Sequence, residues 1–218
     1  MYLSKLILNV RNRSVQRDLS DCQSMHRTIM AAFPGRSRQA PRSEWGVLYR
    51  VDGSQTRRQT SVLIQSGVKP DWSQLPEGYT LGEPAVKPVG DQYAQIREGR
   101  VLHFRLLANP TRKIKTKSGP NGEKRNGQRV ELLGEEDQLA WLDRKAEDAG
   151  FQPLDVQIVG KGRAYEALGH HPAGALTLKG VEFEGRLVVR DQPRFVQALQ
   201  HGIGPGKAYG FGLLSVAP

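Results

Sequence analysis

Apolar and polar residues alternate in part from Tyr2 to Val10, the spacing of a strand with one face on a core. An Arg-rich turn follows, and then the period changes. Cys22, Met25, Ile29, Ala32 and Phe33 recur at helical spacing, Ser20 or Asp21 can cap that helix, and Pro34 and Gly35 stop it. Trp45 to Val51 and Ser61 to Gln65 are strand candidates joined by the polar DGSQTRRQT, the composition of a hairpin connection. Residues 66–99 are rich in Pro and Gly and carry little regular signal beyond a helical turn at Asp71 to Leu75. Arg100 to Leu107 reads as a strand, ended by Asn109 and Pro110.

A second unit follows a Lys/Arg/Gly loop at 111–127. Glu135, Glu136 and Asp137 open a helix at the end that favours negative charge, Leu139, Leu142 and Ala146 give it an apolar face, and Gly150 stops it. Asp155 to Val159, Arg163 to Leu168 and Ala175 to Val189 read as strands, the last free to bend at Gly180 or Gly185. Asp191 and Pro193 begin a final helix with Phe195, Val196 and Leu199 on its buried side, and Ala208 to Val216 returns as a strand. The order strand, helix, two strands, helix, strand therefore occurs twice, although the second helix of the first unit is weak. This predicts an α+β chain of tandem ferredoxin-like (βαββαβ), RRM-like domains over 1–108 and 109–218. The duplication rests on element order, since the two halves share no sequence repeat.

The 218 residues suit one large domain or two small ones. No apolar run approaches the roughly 20 residues that span a bilayer, and MYLSKLILNVRNR is too short and polar for a signal peptide, so a cytoplasmic protein without membrane contact is expected. Cys22, the single cysteine, excludes an internal disulfide and a thiolate metal cluster. Charge sharpens the picture. The formal net charge is +10, unevenly spread: residues 1–42 hold eight basic side chains against two acidic, 105–129 eight against one, and 130–160 two against eight. Basic segments of this density point to a polyanion, most simply a nucleic acid whose phosphates they neutralise.

The most specific string is Gly202-Ile203-Gly204-Pro205-Gly206-Lys207-Ala208-Tyr209-Gly210-Phe211-Gly212. Five glycines around one lysine can expose backbone amides to an anion while Lys207 adds charge, or can make a tight turn from helix to strand. It is neither a Walker loop nor a Rossmann fingerprint, because the required following helix is missing. KAYGF at 207–211 resembles part of the RNA-recognition signature, though that signature belongs in a middle strand.

With its basic residue between the paired glycines, this string resembles the C-terminal signature of the RAMP superfamily of CRISPR-associated RNA-binding proteins. The opening MYLSKLILN with RDLSD and MHRT, together with FRLLANP at 104–110, VEFEGRLVV at 181–189 and the ending GIGPGKAYGFGLLSVAP, resembles CasE proteins, the repeat-processing nuclease of the Cascade complex. The resemblance implies an endoribonuclease that needs no metal or other cofactor, binds the hairpin of CRISPR repeat RNA, cuts the precursor and stays with the product beside other Cascade subunits. The alternative is a RAMP protein that binds and caps repeat RNA without cutting it.

RNA carries its own nucleophile, the 2′-OH, so cutting requires proton transfer and stabilisation of a phosphorane-like charge. From its position at the edge of the apolar stripe, His26 is either a boundary histidine or a general acid or base worth roughly 10²–10⁴ in rate. The MHRT context of CasE proteins implies the catalytic role. Some similar proteins carry a tyrosine three residues earlier; here Gln23 stands there, able to donate a hydrogen bond but not to transfer a proton as a phenol could. Arg27 or Lys207 can stabilise the phosphorane oxygens. The glycines 202, 204, 206, 210 and 212 are candidate RNA contacts, as are Arg112, Lys113, Lys115, Lys117 and Arg129 in the basic loop. CasE proteins present a basic hairpin to the RNA stem, and Lys161, Arg163, His170 and His171 occupy the matching region. His103 reads as structural and His201 as a helix-end residue; no metal site is expected.

Overall fold

A computed structural model describes residues 1–34, 41–54, 59–114, 129–160, 166–171 and 174–218. In chain order the first half holds β1 (Tyr2–Ile7), α1 (Arg13–Ser20), α2 (Cys22–Met30), the short α3 (Pro41–Glu44), β2 (Leu48–Ser54), β3 (Gln59–Ser66), β4 (Ala85–Pro88) and α4 (Gly90–Ala94). The four strands form one sheet in the order β2-β3-β1-β4, with every neighbour antiparallel. β1 and β2 are thus parallel strands split by β3, the ferredoxin-like arrangement. The helix expected between β3 and β4 shrinks to a 3-10 turn at Trp72–Gln74.

The second half holds β5 (Val101–Ala108), β6 (Thr111–Lys113), β7 (Arg129–Glu131), α5 (Glu135–Asp148), β8 (Phe151–Gly160), β9 (Glu166–His171), β10 (Gly174–Lys179), β11 (Val181–Val189), α6 (Gln192–His201) and β12 (Leu214–Ala217). Its main sheet runs β12-β5-β11-β8, again antiparallel throughout, so β5-α5-β8-β11-α6-β12 repeats the first topology. β6 with β7 and β9 with β10 are two-stranded insertions. Two cores follow. Leu6, Met25, Ile29, Tyr49 and Ile64 fill the first, and Phe104, Leu106, Trp141, Phe183, Phe195 and Leu199 the second.

Several elements differ from the sequence reading, among them the last strand, which begins at Leu214 rather than Ala208 because 207–209 forms a 3-10 turn. Arg100 to Leu107 falls in the first unit by element order, but β5 pairs with β11 and β12 in the second sheet. Alternation identifies a strand without naming its partners, so the expected division at 108/109 lies one strand beyond the division between the sheets. The Arg-rich turn is helix α1. Asn12 caps it, its side chain accepting from Ser14 N at 2.8 Å, but with Val15 the only buried apolar residue it has no apolar stripe to read. Finally, 175–189 is two strands, which separate at Gly180.

The halves meet through polar side chains of β2 and β3. Arg50, 4% exposed, binds Asp52 Oδ1 through Nε at 2.7 Å and donates through Nη1 to Ser215 Oγ of β12 at 2.9 Å. Asp52 also faces Arg105 of β5 at 3.8 Å, and Arg105 pairs with Glu182. Gln65 of β3 donates to Leu199 O of α6 and accepts from Tyr93 at 2.7 Å.

Candidate active site

Asp21 sets the position of α2. Its extended backbone (φ −138°) interrupts the helix that α1 would otherwise continue, and its carboxylate accepts from Gln23 N and Ser24 N at 3.2 Å each. Such a cap contributes about 1 kcal/mol. Met25 and Ile29 then face the core, which brings His26 to the edge of that face, where it lines a groove of about 650 Å³ with Arg17, Arg27 and Thr28.

Among the described residues His26 Nδ1 is buried without a hydrogen-bond partner. Burial, and secondly the positive charge of Arg42, push the imidazole pKa from 6.5 down to about 4. The ring is therefore neutral at pH 7, the state of a proton acceptor. Arg27 also lines the groove; its side chain is 75% exposed and donates to Ser24 Oγ at 2.9 Å. Gln23 is placed differently. It does not line this groove, and its Cγ packs beneath the backbone of Gly169 in β9.

The glycine-rich string closes on the same helix. Lys207–Tyr209 forms a 3-10 turn that packs against α2 and β2. Tyr49, buried in β2, donates its hydroxyl to Ala208 O at 3.0 Å, with Cys22 O at 3.4 Å, and so sits between the start of α2 and the turn. Lys207 is half-buried, and its pKa is lowered by burial and then by the charges of Arg42 and Lys145. Arg42 thus acts on His26 and Lys207 together.

The glycines themselves are accounted for by packing. All five have positive φ, and a Cβ at Gly204 would sit 2.8 Å from the Trp141 ring, one at Gly206 2.8 Å from the Phe211 ring. Several amides are satisfied internally: Ile203 N donates to Gly212 O, Tyr209 N to Gly206 O, and Gly212 N to Leu107 O. The loop is a tight turn that carries Lys207.

Arg112 and Lys113 on β6 and Arg129 on β7 are exposed on one ribbon, remote in sequence from His26. Lys115, Lys117, Lys161 and Arg163 lie outside the described residues, as do the side chains of His170 and His171. Among the described residues no cluster of three or more His, Cys, Asp or Glu is arranged to hold a metal ion, and no helix is long and apolar enough to cross a membrane. Sequence reasoning missed Arg42 and Tyr49. Arg42 counted only toward net charge and Tyr49 read as a core strand residue, since nothing local announces a contact 159 positions away.

The family model described as CRISPR associated protein matches residues 1–218. The CRISPR-associated endoribonuclease Cse3 of Thermus thermophilus is 36% identical over 228 residues, covering all of both chains. The chain belongs to the CasE family of CRISPR-associated endoribonucleases. The Cascade subunit CasE of Escherichia coli is 34% identical over 220 residues, again covering all of both chains. Among solved structures, a Cse3 bound to a 19-nucleotide RNA superposes with a TM-score of 0.82 at 35% identity over the full length of both chains. This CasE family member carries the tandem ferredoxin-like fold of that structure, with His26 on its first helical layer and Lys207 returning from the second half.

Proposed function

We propose that the chain binds the hairpin of CRISPR repeat RNA and cuts one phosphodiester by attack of the neighbouring 2′-OH, without a metal ion. His26 accepts the proton of the 2′-OH, O2′ bonds to phosphorus, and the P–O5′ bond breaks as the departing oxygen takes a proton from solvent or a nearby donor. The products are a 2′,3′-cyclic phosphate and a 5′-OH. Arg27 at the groove offsets the charge that grows on the phosphorane oxygens, and Arg42, whose charge reaches both His26 and Lys207, adds to it with Lys207.

The observation that carries this reading is the place of His26, in a groove that Arg17 and Arg27 also line. An imidazole held neutral at neutral pH, in a groove edged by guanidinium groups, is arranged to take a proton beside an anion. Exposed Arg112, Lys113 and Arg129 add affinity for the stem, and stem contacts that survive the cut keep the product bound within Cascade. The Cse3 relative solved with RNA supports the substrate class. A synthetic repeat hairpin incubated with the protein in EDTA tests it: cutting should persist, stop on 2′-deoxy substitution just 5′ of the cut, and yield one turnover per molecule. Cutting that EDTA abolishes and Mg²⁺ restores would overturn the metal-free mechanism. A His26→Ala variant that cuts normally would remove the assigned base.

A further inference from the structure

Among the described residues the β9–β10 hairpin pairs with neither four-stranded sheet. A lone two-stranded ribbon has little stability of its own in water, so its attachments decide where it stands. At its base Lys179 N donates to Glu131 Oε1 at 3.0 Å, and Lys179 O accepts from Asn109 at 2.7 Å. The other attachment is to the start of α2. There the backbone of β9 passes so close that a Cβ on Gly169 would stand 2.9 Å from Cys22 Sγ, 3.2 Å from Asp21 Oδ1 and 3.5 Å from Gln23 Cγ. Asp21 is the cap of α2, and Cys22 lies one turn before His26 on the same side. Next to this seat the packing opens into a space of about 250 Å³ between Ala167 and Leu168 of the hairpin and Tyr209 of the glycine loop. Gly169 is therefore where the hairpin bears on the helix.

We propose that the hairpin is a brace for the helix that carries His26, with Gly169 as a positioning residue whose close contact fixes the first turn of α2 and hence the place of the imidazole in the groove. This rests on the assignment of His26 as the proton-transfer group. Moving a reacting group by 1 Å can cost about 100-fold in rate. A methyl at Gly169 has to retreat from 2.9 Å to the 3.4 Å of ordinary contact. On that scale the half-ångström retreat slows cutting by about tenfold.

The test reads single-turnover cutting at saturating hairpin RNA and, separately, Kd. Gly169→Ala should lower the rate about tenfold while Kd stays within about threefold, and adding Cys22→Ala, which removes the crowded sulfur, should restore most of the rate. Because Cys22 is the only cysteine, Gly169→Cys gives a second handle: its Cβ falls at a distance from Cys22 Sγ where a disulfide can close. Oxidised with diamide, that variant should cut faster than when reduced, since the bond turns the clash into a tether. Normal cutting by Gly169→Ala, a defect in Kd alone, or an oxidised form that loses activity while the reduced form keeps it would each overturn the brace. Should Gly169→Ala not fold, the oxidised and reduced comparison decides alone. His26→Ala run in parallel separates the two failures: if it cuts, the assignment beneath fails; if it is inactive while the Gly169 variants cut normally, only the brace fails.

Discussion

Arg42→Gln should move the acid limb of cutting and the neutral rate in opposite senses. In the free protein His26 titrates at about 4 instead of 6.5, with burial the larger cause and Arg42 the smaller. The second-order rate, measured with RNA well below saturation, reports the free enzyme, so its acid limb should lie near 4 in the parent. Losing the guanidinium removes the smaller cause alone, and the limb should rise by less than half of the way back to 6.5. At pH 7 the base remains deprotonated in both forms, so the shift in titration has no effect there. The rate at pH 7 should nonetheless fall, by about tenfold or more, because a charge that offsets the phosphorane is gone. Quenched-flow cutting of labelled hairpin RNA from about pH 3.5 to 8, with folding checked at each pH, gives both quantities. A parent limb near 6.5, or a limb that Arg42→Gln leaves in place, would refute the account of His26.

The same depressed pKa makes a statement about stability. His26 binds its proton more weakly folded than unfolded, so its contribution is complete above pH 6.5 and is lost as pH falls toward 4; the loss relative to His26→Gln should reach about 3 kcal/mol in urea titrations, and parallel curves would refute it. Gly204→Val or Gly206→Val should cost about 2–5 kcal/mol through strain at positive φ and collision with Trp141 or Phe211, seen as a lower Tm without RNA; an unchanged Tm would return these glycines to a role in RNA binding. Replacing Arg112, Lys113 and Arg129 with Gln should weaken hairpin binding and lower the slope of log K against log salt by about 0.7–0.9 for each phosphate no longer neutralised. An unchanged slope would show that the ribbon is only solvated.

The pattern of residues carries the fold wherever a segment announces both its period and its ends. α5, with acids in its first turn and Gly150 after its last, and α6, opened by Asp191 and ended by Gly202, stand where the sequence puts them. α1 is hidden because its stability comes from a cap and from tertiary contact rather than from a stripe of its own. β5 is recognisable as a strand but not as a member of the second sheet, since its first partner there begins more than 70 residues further on. In the candidate site, His26 and Lys207 are the residues that local strings single out. The inward packing of the glycines is not legible in them, because it depends on Trp141, Phe211 and Tyr49, two of which come from other elements. Arg42 is a surface arginine to any reading of the sequence; its influence exists only once α3 and the turn at Lys207 are brought to α2.

The bond from Tyr49 to Ala208 has a consequence for how the nuclease is made. The first sheet is complete in the chain at β4, and His26 with it, but Ala208 and Lys207 are translated more than a hundred residues later. At roughly 5–20 residues per second the interval lasts on the order of ten seconds. Throughout it the nascent half holds its imidazole without the lysine from the far half, and β2 lacks the neighbour that its tyrosine binds. The two halves are therefore joined here only after residues 207 and 208 have left the ribosome, so a nascent chain shorter than that holds the His26 imidazole without Lys207. That delay is set by the order of synthesis rather than by an inhibitor.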